Sequence, residues 1–206
     1  LKQINEAPVA VSEKGTPVVL KERECFFMQK DRAKFVAKIG VLSALAAAVM
    51  FIETPLPFMP PFLKLDFSEI VVLLGAFALG PLSGVAIELI KNLVHLPFTI
   101  TGGVGELANF VVGCSLVVPA SWIYKRNKSI KTAIKGMIAG SIAMVAVAAL
   151  VNYFVMIPLY VKIFADRLSV TADQSLQSII QMSSEKNQGI VDLKTLILFG
   201  IIPFNI

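Results

Sequence analysis

The sequence predicts an all-α integral membrane protein with six transmembrane helices and both termini cytoplasmic, and three observations carry that prediction. Of the 206 residues, 56% are hydrophobic and 16% charged, with a mean hydropathy of +0.76; soluble domains hold roughly 45–50% apolar and about 25% charged residues. The apolar excess falls in runs long enough to cross hydrocarbon, which takes about 20 helical residues at ~1.5 Å rise each. Basic residues gather in two places along the chain, and the positive-inside rule assigns both to the cytoplasmic face. The net charge of +5 therefore reports topology. No basic, aromatic-interleaved patch accompanies it, so the expected surroundings are membrane lipid and not nucleic acid.

Taken in order, residues 1–27 carry Glu13, Lys14, Lys21, Glu22, Arg23 and Glu24 among prolines, with no apolar core of signal-peptide length. Residues 1–30 are accordingly expected to be a poorly ordered polar cytoplasmic tail, and 31–206 the membrane domain. Phe35–Ile52 supplies the first span, flanked by Lys30, Arg32, Lys34 and Lys38. Val104–Tyr124 supplies another, followed by Lys125, Arg126, Lys128, Lys131 and Lys135 without an acidic residue. If both basic clusters face inward, the chain crosses an even number of times between them. The apolar segment Ile70–Leu96 then contributes no crossing or two, and Gly80-Pro81 interrupts it as a turn would. Two short tilted helices turning there are the favoured reading, with a re-entrant hairpin as the alternative. Gly136–Val161 is long enough to cross with tilt, and Leu193–Ile206 is a sixth helix, truncated where the sequence stops. The outer loops become 53–69, 97–103 and 162–192. In the last, "VTADQSLQSIIQMSS" spaces Leu176, Ile179, Ile180 and Met182 as an amphipathic helix would.

Polar residues collect toward the outer half of these spans. Asn152 lies about 14 Å from the outer end of its helix and Asn205 about 18 Å inward from the same side. Two deep amides at similar depth on different helices point to a shared pocket, because an unpartnered amide in hydrocarbon is costly. Other readings are blander. Glu88 and Lys91, at i,i+3 spacing, can neutralise each other; Glu106 can cap a helix start; Asp66 or Ser68 can be the N-cap of the next helix, with Glu69 in its first turn. His95 has no second His or Cys at ligand spacing, so no metal site is expected. Cys25 and Cys114 are too few for a disulfide framework. "TGGVGE" at 101–106 reads as a tight outer turn and not as a nucleotide fingerprint, and no phosphate loop or paired nucleophile and base occurs. Neither catalysis nor ATP hydrolysis is expected of this chain. On the first helix, Gly40, Ala44 and Ala48 stack along one face, a groove for close helix approach, from within the protein or from a partner.

"FLKLDFSEI" (62–70), "GAFALGPLSGVAIELIKNLVH" (75–95), "GGVGELANFVVG" (102–113) and "NYFVMIPLY" (152–160) resemble the riboflavin-specific substrate-binding subunits of energy-coupling-factor (ECF) vitamin transporters. The likeness runs in order from about Lys34 to the end. It implies a six-helix subunit in a bacterial plasma membrane that captures riboflavin from outside. A transmembrane coupling subunit and two ATPase subunits would drive release inward, ATP being used only by those partners, with no cofactor on this chain. Asn152 matches the family's helix-five asparagine and Asn205 that of a P-F-N-x-x-K-type motif, whose lysine would lie beyond Ile206. Gly40, Ala44 and Ala48 match the small-residue surface that docks on the coupling subunit.

The ligand's chemistry suits these residues. An asparagine amide offers both a donor and an acceptor to the pyrimidine edge of the flavin. Leu63, Leu65 and Phe110 are expected to cover the ring faces, and Glu106 or Asn109 to reach the ribityl hydroxyls. Asp66, with Lys64 and Glu69, lies in or beside an outer loop that closes over the vitamin. A subunit for thiamine or biotin, or a membrane scaffold without a ligand, remain the alternatives.

Overall fold

The computed structural model describes residues 18–57, 63–99 and 103–205. The chain divides into two compact units, Leu1–Gly40 and Val41–Ile206. Helix α1 runs Val18–Met50, so residues 18–30, which composition assigned to a tail, are helical in backbone. In the first unit Lys34 and Asp31 pair at 3.7 Å with both side chains well exposed, an arrangement that contributes little to stability.

In the second unit, α1 buries Ser43, Ala46, Ala47 and Met50, spaced i, i+3, i+4 and i+7. Its other side leaves Val41, Ala44, Leu45 and Ala48 exposed. Two short strands follow, β1 (Thr54–Pro55) and β2 (Lys64–Leu65), antiparallel with Thr54 opposite Leu65 and Pro55 opposite Lys64. This ladder carries no signal in the apolar pattern, being two residues long. Residues 58–62 lie outside the described residues, as do Thr101 and Gly102 of the expected outer turn.

The apolar segment from 70 to 96 is indeed broken in two: α2 spans Ser68–Leu79 and α3 Pro81–His95. Gly80 sits at φ 102°, a region closed to most L-residues, and Pro81 takes the first helical position, where a missing N–H costs nothing. The expected N-cap differs in detail. Phe67 occupies that position without a side-chain cap, and Asp66, one residue earlier, accepts from the Ser68 N–H at 2.6 Å.

A 3₁₀ turn (Leu96–Phe98) leads toward α4 (Val104–Arg126), whose N-cap Gly103 is left-handed. Helix α5 (Ile130–Val151) starts at Ser129, whose hydroxyl accepts from the Thr132 N–H. It meets α4 closely because Gly136 and Gly140 have no side chain. A Cβ at either would stand 2.5 Å from a backbone oxygen, of Ala120 or Leu116 respectively.

Helix α5 continues without a break through a π turn (Asn152–Met156) into α6 (Ile157–Leu168). The cause is Pro158. It has no N–H for the Phe154 carbonyl, and its ring crowds that oxygen, so the ladder shifts register. The Ile157 N–H reaches back five residues to Asn152. The same device recurs after α8 (Leu193–Leu196): a π turn (Ile197–Ile201) precedes Pro203 at the start of α9 (Ile202–Phe204), with the Ile202 N–H donating to Ile197. The expected sixth helix is thus continuous from Leu193 but interrupted in register.

Between them α7 (Ala172–Ser184) is the amphipathic segment read from the sequence, started by a capping box of Thr171 and Gln174. Tyr160 and Ile157 of α6, Ile179 of α7, Val104 of α4 and Leu196 and Ile201 near the chain end form one apolar core.

Candidate functional site

Two cavities of about 510 and 230 Å³ open beside that core. They share Lys64, Asp66, Gly105, Asn109 and Tyr160 as walls, so they form neighbouring chambers of one hollow. Their size suits a drug-sized organic ligand, which needs roughly 300–1,000 Å³.

The smaller chamber gathers most of the residues singled out from sequence: Leu63, Leu65, Asp66, Asn109, Asn152 and Asn205. Both deep asparagines are nine-tenths buried and line the same space from different helices. Each donates one amide N–H to the carbonyl four residues earlier, Asn152 to Ala148 and Asn205 to Ile201, both at 2.8 Å. That bond fixes each side chain against its own helix; a second N–H and an oxygen acceptor belong to each amide. Glu106 lines the larger chamber with Asp66 and Asn109. Phe110, expected as a ring cover, lines neither and is half-buried elsewhere on α4. Gly105, Ala108, Asn109 and Val112 wall the smaller chamber from one face of α4, and at about 100° per residue Phe110 points away from that face.

The segment that leads into α2 is tied down on both sides of β2. The Lys64 ammonium pairs with Glu53 across the strand pair, and Asp66 accepts from Asn109 Nδ2 at 3.4 Å as well as from Ser68. Glu106 meets His95 Nδ1 at 2.9 Å, and the His95 ring lies 5.0 Å from that of Phe51. His95 is therefore held by a carboxylate and an aromatic ring. Among the described residues no group of three His, Cys, Asp or Glu could hold a metal ion. Of the side chains charged at neutral pH on the cavity walls, Lys64 is cationic and already paired, while Glu53, Asp66, Glu69 and Glu106 are acidic. Such a wall favours a neutral ligand over a phosphorylated one.

Glu88 and Lys91 do pair, at 3.1 Å and fully buried. The pairing is wider than i,i+3 spacing suggests: Lys91 also reaches Glu69 at 2.5 Å and Ser68 Oγ at 2.8 Å. Asn92 donates to Glu88 Oε1 at 3.0 Å.

Several wall residues went unseen in the sequence. Tyr160, two steps of four after Asn152, lines the smaller chamber with it, and Phe164, one step further, lines the larger one; stepping by four from that asparagine would have found both. Ile179 and Met182 come from α7, whose apolar face was noted but not assigned to a ligand.

A family model described as "ECF transporter, substrate-specific component" matches residues 34–206. The riboflavin transporter RibU of Staphylococcus aureus (strain TCH60) is 40% identical over 179 residues, 87% of this chain and 84% of that protein. The riboflavin transporter FmnP of Bacillus subtilis (strain 168) is 29% identical over 180 residues, 84% of this chain and 83% of its own length. A solved structure of the S component of a bacterial ECF transporter superposes with a TM-score of 0.60 at 37% identity, over 75% of this chain and 92% of that one.

Proposed function

This chain belongs to the substrate-specific components of ECF transporters, and from that premise we propose that it binds riboflavin from outside the cell for uptake driven by partner subunits. Its relatives in S. aureus and B. subtilis are riboflavin transporters. One observation carries the reading to specific residues: Asn152 and Asn205, from different helices, line one chamber with apolar walls. Two amides supply donors and acceptors to the pyrimidine edge of a flat ring, and Leu63 and Leu65 its apolar cover. Asp66, Glu106 and Asn109 lie toward the neighbouring chamber, where hydroxyls of the ribityl chain find partners.

The chain crosses a bacterial plasma membrane six times with both termini inside, α2 and α3 crossing as short helices. At 12 and 15 residues these rise about 18 and 22 Å, less than the ~30 Å hydrocarbon core, so the bilayer thins beside them. The exposed small residues Gly40, Ala44 and Ala48 form the docking face for the transmembrane coupling subunit, which joins two ATPase subunits. ATP is consumed there, not on this chain.

The test is binding by the purified protein in detergent. Riboflavin is expected to bind with quenching of its fluorescence, while thiamine and biotin leave no calorimetric signal. A preparation that binds one of those vitamins and not riboflavin refutes the reading.

A further inference from the structure

We propose that Lys91 is a positioning residue for the ligand chamber: its buried ammonium grips the start of α2 and, through Ser68 and Asp66, holds the segment that walls the cavity. The inference rests on the riboflavin reading of that cavity.

Lys91 lines neither chamber and is fully buried. Its ammonium donates to Ser68 Oγ at 2.8 Å and Glu69 Oε1 at 2.5 Å and forms an ion pair with Glu88 Oε2 at 3.1 Å. Ser68 is held from two directions, its hydroxyl by Lys91 and its backbone N–H by Asp66 Oδ1 at 2.6 Å. Asp66 Oδ2 in turn accepts from Asn109 on α4. Lys91 thus stands two hydrogen bonds behind Asp66 and one behind Glu69, both of which line the smaller chamber.

Helix packing does not require an ammonium here. The α2–α3 contact is already made by apolar and small residues: a Cβ on Gly84 would stand 2.6 Å from Ala76, and one on Gly75 2.4 Å from Ile87. Those contacts lie further along α2, whereas Lys91 meets its first two residues, where the cavity-lining segment enters. A charge taken out of water is retained at a cost that apolar residues of similar volume would avoid. Two of its three partners, Ser68 and Glu69, belong to that entry and hold it in place. Gly113 of α4 leaves the necessary room, since a Cβ there would stand 2.6 Å from Glu88 Oε1 and 2.9 Å from Glu69 Oε1.

The experiment follows riboflavin fluorescence quenching by the full chain in detergent, in equilibrium and stopped-flow modes, for wild type, Lys91→Met, Asp66→Asn and the double variant. Lys91→Met is expected to weaken binding at least about tenfold, through faster dissociation with association little changed. The double variant is expected to be no weaker than the worse single one, since both changes cut the same chain of bonds. A purely structural role instead lowers the ligand-free melting temperature, leaves the dissociation rate alone and makes the two effects additive; that result overturns the proposal. Should Lys91→Met fail to fold, Ser68→Ala removes one acceptor alone. It is expected to speed dissociation several-fold, and an unchanged rate overturns the proposal equally. Wild-type protein that does not quench riboflavin refutes the riboflavin reading and this inference with it, whereas quenching by wild type and Lys91→Met alike refutes this inference only.

Discussion

Two parts of the molecule treat buried polar groups in opposite ways. Around α2, α3 and α4 the charged side chains face one another: Lys91 meets Glu69, Glu88 and Ser68, and Asn92 meets Glu88. Around the two π turns, Asn152 and Asn205 each bond back to a carbonyl of their own helix and line a hollow. The helices differ in the same sense. Near Glu88 and Lys91 the backbone ladder is regular, whereas Asn152 and Asn205 adjoin segments where proline has shifted it by one residue. The first cluster turns its donors inward to hold helices and loop ends, with Glu69 Oε2, Glu88 Oε2 and Asn92 Oδ1 left without a hydrogen-bond partner. An amide anchored by one N–H keeps capacity for something that enters from outside.

The widest expected effect tests the open pair. Replacing Asn152 and Asn205 together by Leu keeps the volume and removes both amides. Each lost ligand hydrogen bond is worth about 1–1.5 kcal/mol, so riboflavin affinity is expected to fall on the order of 100-fold. The ligand-free melting temperature is expected to hold or rise, because two buried polar groups have gone. Fluorescence titration and thermal unfolding together check this, and a parallel loss of stability would erase the contrast.

Next comes Gly136→Val, where the new side chain would meet the Ala120 carbonyl at 2.5 Å. Overpacking against backbone is expected to cost about 1–3 kcal/mol of stability, read as a lower melting temperature, with affinity of the folded fraction within about twofold of wild type. Affinity that collapses together with stability would show that α4–α5 packing and the chamber are one unit.

Pro158→Ala is subtler. It restores an N–H to answer the Phe154 carbonyl, so the π turn is expected to relax toward regular α-helix and turn Tyr160 away from Asn152. Riboflavin affinity is expected to weaken about fivefold, near 1 kcal/mol, with no loss of thermal stability. Calorimetry measures it, and an unchanged affinity would separate the π turn from the binding geometry.

The smallest effect concerns Asp192, which caps α8. Hydrogen bonds from the Thr195 hydroxyl and N–H hold its carboxyl below the usual range. A lowered folded value means that the stabilisation is complete above the ordinary carboxylate pKa of about 3.9 and is lost as pH falls through the lower folded value. Asp192→Asn keeps a capping side chain without a charge, so melting curves taken downward from pH 5 are expected to show a shallower acid decline.

Much of this was legible from sequence because its causes are local. The break between α2 and α3 follows from Gly80-Pro81 alone, and α7 from the spacing of Leu176, Ile179, Ile180 and Met182. Other features depend on partners far away in the chain. Glu88 and Lys91 suggested a simple pair, yet Ser68 and Glu69, more than twenty residues earlier, complete the cluster. Phe110 follows Asn109 directly and yet lines neither cavity, because one position on a helix is a change of side.

What the sequence determined by itself was where the long apolar helices lie and where they stop. Those properties depend on composition, period and the backbone limits of Gly and Pro, all of which act within a few residues. Only the tertiary structure decided which polar residues meet: Asp66 with Asn109, 43 positions apart, Lys91 with the start of α2, and two asparagines around one chamber. Such meetings depend on how each helix is rotated and how closely it packs, which many side chains settle jointly and no short stretch encodes.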